Sequence, residues 1–175
     1  MYIRRQLEDV IHKSSMTFPA LLLTGPRQSG KSTLLRHLAE EGRAYVTLDD
    51  PAIREVAKTN PELFFQRFDP PLILDEVQYA PELFPYIKMI IDERNTNGLF
   101  WLTGSQIFEM MNNVQESLAG RVSLLNLFGF SQAEKEKRTV LPFPPSIGEL
   151  KEARKKLPMK SMDDVFETIW QGSMP

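Results

Sequence analysis

Two groups of residues in this chain have the types and spacing to handle a phosphate and the metal ion that travels with it. The first is Gly25-Pro26-Arg27-Gln28-Ser29-Gly30-Lys31-Ser32, which fits the pattern G-x-x-x-x-G-K-[ST]. Glycines let backbone N–H groups converge on phosphate oxygens, and a helix starting at the lysine turns its positive end to the same anion. Lys31 is expected to reach the β- and γ-phosphates, and the Ser32 hydroxyl to ligate Mg²⁺. The nucleotide-contacting segment is taken as Gly25 to Thr33, with the Arg27 side chain expected at the surface or in packing. The second group is Asp75-Glu76, closing the apolar run Leu72-Ile73-Leu74. Asp75 at such a strand tip would face the metal, and Glu76 would polarise a water for in-line attack. Two solvated acids at a strand end are the plainer alternative.

Other residues join with less specific signals. Thr103-Gly104-Ser105 ends a strand, and the Ser105 hydroxyl could bond the attacking water or the γ-phosphate, or simply cap the next helix. Arg121 follows Leu118-Ala119-Gly120. It could supply transition-state charge to a neighbouring subunit's γ-phosphate, or interact with a helix C-terminus. Asp49 and Asp50 precede Pro51 and are read as helix caps ahead of any role in the metal's outer shell. His12 and His37 are read as surface helix positions, and Met110-Met111 as core.

The elements that must hold these residues alternate. Ala20–Leu23 reads as a buried strand, and Thr33–Glu41 as a helix that Gly42 could stop. Ile3, Leu7, Val10 and Ile11 suggest an amphipathic helix over residues 3–13 ahead of them. Further strands are expected at 44–50, 72–76, 99–105 and 122–127. Helices are expected at 52–58, from Asn60-Pro61 onward, over 81–94 and over 106–118. Apolar strands alternating with helices indicate an α/β fold, a parallel sheet covered on both faces, with functional groups at its carboxyl edge.

Composition permits this and excludes other classes. Among 175 residues, 42% are hydrophobic, enough for a core, and the formal net charge of −2 announces neither nucleic acid nor an anionic membrane. There is no cysteine, hence no disulfide and no thiolate zinc site. The N-terminal stretch has acids and no apolar core, and no run is long enough to span a membrane, so a cytoplasmic protein is expected. Composition shifts near residue 130: residues 133–160 carry a charged run, a Pro-rich patch and a second basic run, read as solvated faces. The expected organisation is a core over 1–130 and a linker plus partial second domain over 131–175.

Five separated motifs then occur in order: Leu-Leu-Leu-Thr-Gly-Pro-Arg-Gln-Ser-Gly-Lys-Ser-Thr-Leu-Leu; Val-Thr-Leu-Asp-Asp-Pro; Ile-Leu-Asp-Glu-Val-Gln-Tyr-Ala-Pro-Glu-Leu-Phe-Pro-Tyr-Ile-Lys; Leu-Thr-Gly-Ser-Gln; and Glu-Ser-Leu-Ala-Gly-Arg-Val. Together, from about Tyr2 to Glu134, they closely resemble a group of prokaryotic AAA-superfamily ATPases in which an N-terminal ATPase core precedes a C-terminal domain of unknown function. The resemblance implies a three-layer α/β/α sandwich with a mostly parallel five-stranded sheet and the phosphate-loop strand central. It implies binding of ATP, and hydrolysis to ADP and phosphate with Mg²⁺. It assigns Gly25–Ser32 to the nucleotide loop, Asp75 and Glu76 to the second acidic motif, Ser105 to the sensor position and Arg121 to the arginine after Leu-Ala-Gly. No guanine signature is visible, in agreement with adenine. Phe166 to Pro175 resembles the opening of the second domain, with Ser173 where a second glycine is common, so most of that domain is expected to be missing. A homo-oligomer stands open, a protein or DNA partner stays undetermined, and no membrane role is expected. The alternative to an ATPase is a nucleotide-responsive binding module with little turnover.

Overall fold

The computed structural model describes residues 2–105, 117–138, 146–155 and 160–175. They form two compact units, one of residues 5–128 and one of residues 1–4 with 129–175.

In the larger unit the chain runs α1 (Glu8–Thr17), β1 (Ala20–Thr24), α2 (Lys31–Leu38), β2 (Ala44–Thr47), α3 (Pro51–Thr59), α4 (Pro61–Arg67) and β3 (Leu72–Asp75). A 3₁₀ turn at Val77–Tyr79, then α5 (Leu83–Arg94), β4 (Phe100–Gly104) and β5 (Val122–Asn126) follow. The five strands make one sheet in the order β2-β3-β4-β1-β5, and every pairing is parallel. The fold is therefore α/β, wholly rather than mostly parallel. β1, β3 and β4 are buried at every residue, as strands covered on both faces must be, whereas β2 and β5 are half-open edges. The phosphate-loop strand is an inner strand but not the middle one. That place belongs to β4, and β1 lies between β4 and β5.

Leu22, Leu74, Phe100 and Leu102 of the sheet share one core with Phe64 of α4 and Leu83, Phe84 and Ile87 of α5. Phe65 meets Phe100 edge-on at 5.9 Å between ring centroids. The starts of α3 and α4 follow from local chemistry. The Asp50 carboxylate accepts from Ala52 N (2.8 Å) and Ile53 N (3.3 Å), and the Asn60 side chain from Leu63 N (3.0 Å), each just before a proline in the first turn. Asp49 does not cap; its N–H donates to Thr47 Oγ1 at 3.2 Å and its side chain is exposed. His12 and His37 are exposed helix positions.

Several boundaries move from their sequence expectation; the second strand, expected over 44–50, ends at Thr47, ahead of the Asp50 cap. The first helix begins at Glu8, not residue 3, because the Arg5 N–H bonds the Glu8 carboxylate (2.7 Å) in a turn that precedes it. α2 stops at Leu38, where Ala39 turns extended, before Gly42 is reached. The third strand stops at Asp75, because Glu76 adopts the left-handed region (φ 57°, ψ 48°) and ends the ladder. The expected helix over 106–118, with Met110-Met111, falls almost entirely outside the described residues, as does the Pro-rich patch at 141–145.

The smaller unit carries helices at Gln132–Lys135, Ile147–Lys155 and Met162–Gln171. The first and last open with capping boxes, Ser131 with Glu134 and Ser161 with Asp164. The last leaves Phe166, Ile169 and Trp170 exposed. Among the described residues, no helix is long and apolar enough to cross a membrane.

Asp50→Ala removes the acceptor of two helix N–H groups, so it is expected to lower the stability of the larger unit by about 1 kcal/mol, read as a shifted urea midpoint at unchanged slope.

Candidate functional site

Because all five strands run the same way, the carboxyl ends of β1, β3 and β4 deliver the phosphate loop, Asp75-Glu76 and Thr103–Ser105 to one edge of the sheet. The loop is shaped by backbone that ordinary residues avoid. Gly25 has φ +148°, and a Cβ there would lie 2.1 Å from the Leu127 carbonyl oxygen, so the chain leaving β5 admits no side chain. Gln28 (φ 63°) and Gly30 (φ 88°) are both left-handed, and between them the Ser29 N–H donates to the Pro26 carbonyl at 3.3 Å, closing a tight turn ahead of α2. Pro26, Arg27, Gln28 and Thr33 are exposed, while Ser29 is buried with its hydroxyl unpartnered among the described residues.

Lys31 is buried in this pocket, and its ammonium donates to the carbonyls of Gly25 (3.0 Å) and Pro26 (2.9 Å). Burial lowers its pKa, with the nearby Glu76 and Asp75 charges opposing the shift. Ser32 donates its hydroxyl to Asp75 Oδ1 at 2.7 Å, joining loop to strand tip. The Thr103 hydroxyl also donates to Oδ1, and the Tyr45 phenol donates to Oδ2 at 2.7 Å. Asp75 is itself buried. Burial, and then the bond to Asp75, push the Tyr45 pKa up to about 12, and the Arg36 guanidinium lies 4.8 Å over its ring.

Glu76 is fixed at both ends. Its backbone N–H donates to Thr103 Oγ1 (3.0 Å), and its carboxylate Oε2 accepts from the Ser105 hydroxyl (3.1 Å) and from the Gln78 amide. The Gln78 amide also donates to Ser105 Oγ at 3.3 Å.

Lys31, Ser32, Asp75, Glu76 and Ser105 therefore come together, and Arg121 does not. It precedes Val122, which pairs with Ala20 at the opposite, amino edge of the sheet. There its guanidinium holds Asp92 through Nε (2.7 Å) and Nη2 (3.1 Å), which raises the arginine's pKa, and Nη1 donates to the Ala119 carbonyl at 3.3 Å.

Sequence reasoning missed three participants. Tyr45 stands two residues before Thr47 on an edge strand, and only the register of β2 on β3 brings its phenol to Asp75. Gln78 lies two residues past Glu76, in a 3₁₀ turn that no periodicity announces. Arg5 is buried far upstream and donates to the Ser29 carbonyl in the loop (3.0 Å) and to the Phe128 carbonyl (2.6 Å).

Asp75 and Ser32 offer hard oxygen donors side by side, the set Mg²⁺ takes when substrate phosphates and water complete its shell. Among the described residues no cluster of three or more acidic, histidine or cysteine side chains forms an all-protein metal cage.

A family model described as an AAA domain matches residues 17–136. Two curated relatives, uncharacterized proteins of Mycobacterium bovis and Mycobacterium tuberculosis, are each 30% identical over 126 residues, 72% of this chain. The chain spans only 28% of the length of each relative. Among solved structures, the Walker-type ATPase of Pyrococcus abyssi is similar in fold, with a TM-score of 0.55 at 18% identity over 88% of this chain and 63% of that one.

The Tyr45 pKa gives a direct check. Its neutral form is favoured by folding, so the native state loses this contribution as pH rises through the ordinary tyrosine value, about 10, toward about 12. Ultraviolet titration of the metal-free protein is expected to show one tyrosinate appearing near pH 12, absent from Tyr45→Phe.

Proposed function

The chain belongs to the AAA domain family, and on that footing we propose that it binds ATP with Mg²⁺, hydrolyses it to ADP and phosphate, and changes conformation when the γ-phosphate is lost. Family membership supports nucleotide binding at the loop. The observation that carries the rest is the hydrogen bond from Ser32 to Asp75, which couples the phosphate loop to the acidic strand tip.

Each residue has a distinct task in this reading. The loop N–H groups and the N-terminus of α2 receive the phosphates. Lys31 exchanges the Gly25 and Pro26 carbonyls for phosphate oxygens, an exchange in which its positive charge gains an anionic partner. Ser32 and Asp75 would hold Mg²⁺, which would supply neutralisation of the phosphate charge. Glu76 accepts a proton as the water oxygen attacks the γ-phosphorus, and the bond to the bridging oxygen breaks to leave ADP. Ser105, already bonded to the Glu76 carboxylate, stands where the presence of a γ-phosphate would be felt.

Arg121 fits only across an interface. It lies a five-residue strand from the loop of its own chain, about 17 Å at the rise of extended backbone. Within a homo-oligomer it would leave Asp92 and approach a neighbour's nucleotide. We read the protein as acting in the cytoplasm, the compartment that supplies its ATP.

Phosphate release and nucleotide binding test the reading together. Lys31→Ala is expected to weaken ATP binding at least about tenfold, as loss of a charge-assisted contact should. Glu76→Gln is expected to bind ATP as wild type does while releasing phosphate about 100-fold more slowly. Wild type that binds ATP yet releases phosphate no faster than Glu76→Gln is a binding module, and the ATPase reading falls.

The interface role has its own check. Mixing Arg121→Ala with Lys31→Ala subunits is expected to restore part of the activity that each lacks alone. A mixture as inactive as its components removes Arg121 from the mechanism.

A further inference from the structure

Gln78 is half satisfied in a way its neighbours are not. Its amide nitrogen donates to Glu76 Oε2 and to Ser105 Oγ, while its carbonyl Oε1 is buried and unpartnered among the described residues. A buried acceptor left without a donor is costly, and the bonds made by the amide nitrogen offset that cost. The residue it grips is also unusual. Glu76 occupies the left-handed region, which is strained for a non-glycine residue and survives where the surroundings over-determine it. Thr103 fixes its backbone, and Ser105 and Gln78 fix its carboxylate, from two separate segments of chain.

We propose that Gln78 is a positioning residue for the Glu76 carboxylate: together with Ser105 it pins Oε2 and thereby leaves Oε1 oriented to take the proton from the attacking water. The inference rests on the hydrolytic role of Glu76 proposed above. A carboxylate free to rotate about its terminal torsion samples a broad range, because such sp³–sp² torsions have no sharp wells. A donor on one oxygen narrows that range, and a base held in the attack geometry avoids the loss that a small misplacement brings. Ser105 alone supplies one donor from one direction. Gln78 adds the second and also bonds Ser105, so the three side chains form a closed triangle that no single rotation can leave without breaking two bonds.

Gln78→Met keeps the length and removes the amide; Gln78→Asn keeps the amide and shortens its reach. ATP affinity and steady-state phosphate release are measured for both, for wild type, for Glu76→Gln, and for Glu76→Gln with Gln78→Met. Gln78→Met is expected to lower kcat about tenfold at unchanged KM and unchanged ATP affinity, with Gln78→Asn intermediate. In the Glu76→Gln background, Gln78→Met is expected to produce no further loss, because its effect passes through the carboxylate. An unchanged or increased kcat in Gln78→Met overturns the proposal, as does an equal loss in both backgrounds, which marks a merely structural residue. If Glu76→Gln releases phosphate as fast as wild type, the hydrolytic reading of Glu76 is what fails, and the proposal fails with it. If Glu76→Gln is slow and Gln78→Met is not, only the role of Gln78 is lost.

Discussion

A buried carboxylate whose direct partners are hydroxyl groups is the constraint around which the larger unit is arranged. Asp75 receives Ser32 from α2, Tyr45 from β2 and Thr103 from β4, so three elements converge on one strand tip. Taking a carboxylate out of water costs several kcal/mol, and neutral donors offset this only in part. Lys31, whose charge interacts with that of Asp75, lies in the loop and is itself held by carbonyls. Both ionic groups of the site are thus stabilised by dipoles in this structure, and each gains when a ligand brings full charges of the opposite sign.

Much of this was legible in the sequence, for physical reasons. The phosphate loop announces itself because its glycines, lysine and hydroxyl have few substitutes, and the strand–loop–helix around it shows in the apolar pattern. Asp75 and Glu76 are visible because an acid after an apolar run marks a strand end. Asp50 and Asn60 are visible as caps because their prolines follow them. Strand order is a different matter. Apolar runs reveal that β1 and β4 are buried on both faces, yet they carry no information on which is the middle strand, and β4 holds that place. Tyr45 and Gln78 escaped for a similar reason. One is delivered by inter-strand register and the other by a 3₁₀ turn, and neither leaves a periodic trace. Arg5 escaped because its partners are backbone carbonyls, which every sequence contains.

Parallel topology also separates two kinds of chemistry. Lys31, Ser32, Asp75, Glu76 and Ser105 stand at the carboxyl edge, while Arg121 and Asp92 pair at the amino edge.

Gly25 carries a mechanical consequence. Where a side chain would normally cushion two segments, the loop backbone lies directly against the carbonyl of Leu127, with no atoms between to compress or rotate. Arg5 ties the adjacent Ser29 and Phe128 carbonyls to one guanidinium, closing the same gap from another side. The phosphate loop and the exit from β5 are therefore in direct backbone contact and share one guanidinium. In close-packed backbone of this kind the loop has little room to move unless Leu127 moves with it.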